Sequence, residues 1–169
     1  MALWGGRFTE QSSDAMATLS RSVNFDWRLA PYEIEVNLIH LENLIQQNVI
    51  NKSDGAEIKS ALLELSTEIG NGSFSFNKDD EDVHSAIERG LSEKVGAIGS
   101  SIRAGRSRND LVVTDFKLYL IDHLTEIASM VGDLVVEINK QANAHVDVIA
   151  PGFTQDRKST RLNSSHSDR

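Results

Sequence analysis

The residues best suited to chemistry lie together in Arg103–Asp115, RAGRSRNDLVVTD. Gly105 supplies a turn conformation that a side chain with a Cβ resists. Ser107 followed three residues later by Asp110 has the spacing of a capping box, which starts a helix by satisfying its first free N–H groups. Arg108 and Asn109 then fall on the first helical turn, and Arg106 lies just outside it. Free N–H groups, the positive end of a helix dipole and two guanidinium groups converge there on a volume that suits a carboxylate or phosphate. The plainer alternative is a solvated helix start whose arginines meet only water or nearby acids. Thr114 and Asp115, one turn further on, either touch the basic turn or serve as ordinary helix-surface residues. His84 follows Asp80 by four residues, a spacing that permits a metal pair, but two ligands do not make a site. His40, His123, His145 and His166 read as surface or tail residues.

The chain that must position these groups has 169 residues, enough for one domain with a real core. Two prolines, 6% aromatics and long stretches of Leu, Ile, Glu, Lys and Ala predict an all-α protein. A formal net charge of −8 argues against nucleic acid as the main partner. With no cysteine there is no disulfide framework, no thiolate nucleophile and no Cys-based zinc site. Neither a signal-peptide pattern nor a run of membrane-spanning length is present, so a cytoplasmic location is the default expectation.

In chain order, Met1–Asp26 reads as an extended arm carrying the aromatic anchors Trp4 and Phe8. Pro31 opens a helix with Ile34, Leu38, Leu41 and Ile45 on one face. Asn48–Asp54 reads as a polar turn. A second helix begins at Asp54, buries Ile58, Leu62, Leu65 and Ile69, and stops at Gly70. Gly70–Asn77 reads as coil. A third helix starts in the acidic cluster Asp79–Asp82, buries Val83, Ile87, Leu91 and Val95, and stops at Gly96. Glycine and serine residues then lead to the basic turn.

From Ser107 helical periodicity persists to about Val146, a rod on the order of 55–60 Å. Val113, Phe116, Leu120, Leu124, Ile127, Val131, Leu134 and Ile138 form one apolar stripe, and Val112, Ile121 and Val135 a second. A helix with two such stripes belongs to a bundle and needs partners beyond the preceding helices. The expected organisation is a helical N-terminal domain over 1–106, the start of a central bundle over 107–155, and a tail over 156–169. Asp156–Arg169 abandons the amphipathic pattern, and DRKSTRLNSSH resembles the translation of a common sequencing adapter. The tail is therefore set aside from the fold. If that adapter also supplies the last base of codon 155, Gln155 stands where a histidine codon would differ by one base.

Four motifs in order, LWGGRF at Leu3–Phe8, DEDVH at Asp80–His84, GRSRND at Gly105–Asp110 and PGFT at Pro151–Thr154, resemble the argininosuccinate lyases of the fumarase/aspartase superfamily. RAGRSRND and FDWRLAPY resemble bacterial, actinobacterial members. The resemblance implies cleavage of argininosuccinate into arginine and fumarate by β-elimination, without metal or organic cofactor. It further implies substrate binding by Asn109 and Arg108, by Ser22 and Asp26 at the amino-acid end, and by Thr154 at a carboxylate. Asp82, His84, Arg106 and Ser107 are expected to support that site. The position of Gln155 holds a histidine in the family, so no catalytic residue is expected to be retained here. Leu111 stands where glutamine is usual. Family sites are assembled from three subunits of a homotetramer, so the resemblance implies an N-terminal fragment that is inactive by itself.

Three other functions fit less well. Fumarase or adenylosuccinate lyase is disfavoured by LWGGRF and GRSRND. A non-catalytic, crystallin-like or helical interaction homologue is favoured only by Gln155. Anion or nucleic-acid binding through Arg103, Arg106 and Arg108 is disfavoured by the acidic total.

Overall fold

The computed structural model describes residues 13–149 and the short segments 153–154 and 157–158. Helices α1 (Asp14–Ser20) and α2 (Val23–Asp26) lead through a 3-10 turn at Trp27–Leu29 into α3 (Ala30–Gln46). Next come α4 (Lys52–Asn71), α5 (Val83–Val95), a 3-10 segment over Gly96–Arg103, and α6 (Arg108–Ala144). The remaining regular structure is a two-residue antiparallel pairing of β1 (Phe153–Thr154) with β2 (Arg157–Lys158), in which Phe153 faces Lys158. The fold is all-α in class. The chain divides into two compact units, residues 1–123 and 124–169.

In the first unit α3, α4 and α5 enclose a core of Ile34, Leu41, Leu44, Ile58, Leu62, Leu65, Val83, Ile87 and Leu91. These are the apolar positions at helical spacing, and full burial of each side chain contributes about 1.5–3 kcal/mol. Leu38, Ile45, Ile69 and Val95 pack against the same core while partly exposed.

Helix ends follow local chemistry, with several corrections to the expected boundaries. The expected extended arm carries α1 and α2 in its described part. Ser13 caps α1 by accepting from the Met16 N–H at 3.3 Å. Helix α4 begins earlier than Asp54, because the Asn51 side chain accepts from the Asp54 N–H at 2.9 Å. It ends later than Gly70, because Gly72 takes the left-handed conformation at φ 77°. Asp82 and Ser85 form a reciprocal capping box on α5, with side chain to backbone distances of 2.8 and 3.0 Å. Gly96, at φ 66°, stops α5 as expected. The stretch that follows is 3-10 helix.

The loop between α4 and α5 contains no strand. Its Phe74 and Phe76 rings lie 6.2 and 5.6 Å from the Trp27 ring. Arg89 anchors its far end, bonding both Asp80 oxygens at 3.1 and 2.9 Å and the Ser75 carbonyl at 3.0 Å. This fixes the approach of the chain to Asp82.

Within the first unit, the start of α6 packs through neither apolar stripe. Leu111 and Asp115 are its buried residues, Tyr119 packs against the core, and Asp122 accepts from the Tyr32 hydroxyl at 3.1 Å. Both expected stripes are exposed, from 36% at Leu120 to 60% at Ile121. In the second unit Leu124, Ile127, Val131, Leu134 and Ile138 are all at least half exposed. No helix among the described residues is long and apolar enough to cross a membrane.

Candidate functional site at the start of the long helix

The basic bend forms where the sequence places it. Gly105 sits at φ 69°, and α6 begins at Arg108. Asp110 accepts from the Ser107 N–H at 3.2 Å, while the Ser107 hydroxyl accepts from the Asn109 N–H at 3.2 Å. The serine therefore caps one residue earlier than a full capping box requires. Asn109 and Ser107 are exposed. A small cavity of about 60 Å³ is lined by Glu88, Arg103, Arg106, Ser107, Arg108 and Leu111.

The guanidinium groups meet protein partners, two of them acids as the plainer alternative allowed. Arg108 Nη1 donates to Asp82 Oδ2 at 2.8 Å, while its Nη2 is buried without a hydrogen-bond partner. Arg106 turns inward and donates from Nη2 to Asn37 Oδ1 at 2.6 Å. Burial holds its pKa below the ordinary value, against the opposing charges of Glu33, Asp115 and Glu88. Arg103 pairs with Glu88 at 3.4 Å.

Ser22 and Asp26 meet the same helix start that Asp82 caps. The Ser22 hydroxyl donates to Asp26 Oδ2 at 2.6 Å, and Asp26 Oδ1 accepts from the Val83 N–H at 3.1 Å. The Ser22 N–H donates to the Glu81 carbonyl at 2.8 Å. Burial raises the Asp26 pKa, with the Asp82 charge adding to it; the Ser22 and Val83 bonds act the other way. The Ser22–Asp26 pair, through the Val83 N–H, and the Asp82–Arg108 pair thus meet at the head of α5.

His84 lies one residue inside that head, buried. Its Nδ1 is 2.8 Å from Glu33 Oε2 and 3.9 Å from Asp115 Oδ2. The spacing of Asp80 and His84 does not produce a pair, because Asp80 is taken by Arg89. Burial alone would depress the His84 pKa. The Glu33 hydrogen bond and the charges of Glu33, Asp82 and Asp115 outweigh it and raise the value. Asp115 is fully buried, correcting its surface alternative, and burial with the Glu33 charge pushes its pKa up to about 7. Among the described residues, Glu33, His84 and Asp115 are the group able to hold a metal, with ligand atoms within 4.8 Å. Arg106 beside them already supplies positive charge.

Two histidines expected on the surface are half-buried. His40 Nε2 lies 3.0 Å from the Ala104 carbonyl oxygen, and burial lowers its pKa. His123 stacks on Tyr119 at 3.8 Å. His145 is exposed as expected. Thr114 bonds the Asp110 carbonyl within its own helix. Thr154 contributes backbone to β1. Gln155, His166 and the LWGGRF motif lie outside the described residues.

Sequence reasoning missed Glu33 and Asn37, and it marked Asp115 without foreseeing its burial beside them. A signal was present: Ala30, Glu33, Asn37, Leu41 and Leu44 step by three or four along the buried face of α3. Arg108, Leu111 and Asp115 do the same at the start of α6. Polar residues at core spacing announce a buried network.

The family model described as "Lyase" matches residues 6–167. An argininosuccinate lyase from Frankia casuarinae is 43% identical over 166 residues, 98% of this chain and 36% of the relative. The Streptomyces griseus argininosuccinate lyase is 43% identical over 153 residues, 90% of this chain and 32% of the relative. That of Corynebacterium jeikeium is 40% identical over 167 residues, 98% and 34% respectively. The chain spans about a third of the length of these relatives.

Proposed function

Because this chain belongs to the lyase family, we propose that the whole protein is an argininosuccinate lyase of the fumarase/aspartase superfamily. It releases fumarate and arginine by β-elimination in the last step of arginine biosynthesis, without metal or organic cofactor. A base removes the proton from the carbon beside a substrate carboxylate. The electron pair spreads into that carboxylate and then forms the carbon–carbon double bond as the bond to the arginine nitrogen breaks. The negative charge that develops needs donors already in place.

In this proposal Arg108 and Asn109 bind substrate at a carboxylate, and Thr154 binds a second carboxylate. Ser22 and Asp26 hold the amino-acid end, where Asp26 pairs with the ammonium group. Asp82, His84, Arg106 and Ser107 support them. The proposed organisation is a helical domain over 1–106, the start of a central bundle over 107–155 and a non-native tail over 156–169. The protein works as a cytoplasmic homotetramer, and the 169-residue chain alone is inactive.

The observation that carries the reading is the identity of 43% over 98% of the chain to a protein named argininosuccinate lyase. The meeting of the Ser22–Asp26 pair with the Asp82–Arg108 pair at the head of α5 supports it, because three distant stretches of sequence converge on one helix start. Gln155 favours a second reading, a non-catalytic homologue, if the glutamine is genuine. Full-length protein given argininosuccinate, malate or adenylosuccinate is expected to release fumarate, seen by its ultraviolet absorbance, from argininosuccinate alone. Release from none of the three, with a confirmed glutamine at 155, supports the non-catalytic homologue. Release from malate or adenylosuccinate instead assigns a different superfamily reaction.

A further inference from the structure

Of the buried group behind the basic bend, His84 has been given only a supporting part in the reaction as written, and Glu33 and Asp115 none. Glu33 comes from α3, His84 from α5 and Asp115 from α6, and all three are at most 3% exposed. His84 Nδ1 bonds Glu33 Oε2 at 2.8 Å, and Asp115 Oδ2 lies 3.9 Å from the same nitrogen. Both Asp115 oxygens are buried without a hydrogen-bond partner, a costly state for an ionised carboxylate. Arg106 faces the group from the bend, with Nη2 on buried Asn37 and Nη1 unpartnered.

We propose that Glu33, His84 and Asp115 are a positioning triad for the basic bend: one proton kept among the imidazole and the two carboxylates fixes α6 against α3 and α5, so that Arg106 and Arg108 hold their seats.

The charge count requires that proton. Two ionised carboxylates beside a neutral imidazole face Arg106 alone, leaving one uncompensated negative charge in the interior. A single added proton, on His84 or on Asp115, neutralises the group. The other charges facing it are Asp82 at the head of α5, already paired with Arg108, and Glu88 on α5, which faces Arg106. Asp26 from α2 lies beside Asp82 and feels the His84 charge. The link to the bend is geometric. Arg108, Leu111 and Asp115 share one face of α6, and His84 follows Asp82, the partner of Arg108, by two residues. Loss of the proton sets Asp115 against Glu33 and pulls Arg106 from Asn37 toward the carboxylates.

Both titrations point the same way. His84 is raised, so its contribution to stability is complete below the ordinary histidine value and lost as pH rises through the raised one. Asp115 is raised to about 7, so the folded state binds its proton more tightly than the unfolded chain. Its ionisation erodes stability as pH climbs from the ordinary carboxylate range to neutrality.

The inference rests on the lyase reading only for its activity arm. Full-length wild type is expected to lose about 5 °C in Tm from mildly acidic to mildly alkaline pH. Asp115→Asn, which keeps shape and removes the charge, should flatten that fall to less than half. Should Asp115→Asn fail to fold, Glu33→Gln removes the other carboxylate and should flatten it likewise. In the activity arm, the wild-type KM for argininosuccinate rises with pH over the same range, and the substitution flattens that rise with kcat little changed. A Tm profile for the variants parallel to wild type overturns the triad. So does a Zn²⁺-induced rise in wild-type Tm that Asp115→Asn abolishes, which would make the group a metal site. Absence of fumarate release by wild type rejects the lyase reading instead, and the Tm comparison still decides the triad.

Discussion

At the residue scale, Asp82 has two duties. Its side chain caps α5 through the Ser85 N–H and seats Arg108 at 2.8 Å. Asp82→Asn keeps the cap but loses the ion pair, so full-length protein should lose substrate affinity with little change in denaturation midpoint. Asp82→Ala loses both, and urea unfolding should register a further loss of about 1 kcal/mol. His40 titrates in the opposite sense to the buried triad. Burial lowers its pKa, so stability is lost as pH falls below the ordinary histidine value; His40→Gln should shallow the acid limb of a Tm–pH curve. The positions of Arg106, Arg108 and Asn109 were legible in the sequence because turn and capping chemistry is local. Their partners were not. Arg108 reaches Asp82 across 26 residues and Arg106 reaches Asn37 across 69, distances that no spacing rule spans.

At the element scale, two neighbouring glycines separate pattern from conformation. Gly70 is helical with nothing within 4 Å of an added Cβ, whereas Gly72 holds the left-handed C-cap at φ 77°. Gly70→Ala should stabilise the protein by up to about 1 kcal/mol, and Gly72→Ala should destabilise it by a similar amount. Chemical denaturation of the pair checks both signs. The sequence alone put the helix stop at Gly70 because either glycine satisfies the same stop rule, and only the backbone angle distinguishes them. The helices themselves were readable from the three- and four-residue steps of Leu41, Leu62 and Ile87. The 3-10 segment over Gly96–Arg103 was not, because short polar and apolar alternation among glycines carries no helical period. Gly90 marks where the loop meets α5: a Cβ there would sit 2.6 Å from the Phe74 ring and 2.8 Å from Leu65.

At the scale of the whole molecule, α6 carries two apolar stripes that are exposed among the described residues. Apolar patches of this extent mark interaction surfaces. In full-length protein Leu124→Lys with Ile127→Lys should lower the assembly state measured by light scattering, while the same change should leave the first unit's thermal transition in place. The two apolar stripes were visible in their spacing; the face α6 gives its own chain, through Leu111, Asp115 and Tyr119, was hidden because it mixes one aliphatic, one acid and one phenol. The aromatic contact between the 72–82 loop and the start of α3 has a consequence for observing all of this. Trp27 is one of two tryptophans in the chain, and its indole lies against Phe74 and Phe76. With Trp4 replaced by phenylalanine, its emission becomes an optical gauge of that junction. A red shift preceding the loss of circular dichroism would mean that the loop feeding Asp82 lets go before the helices melt.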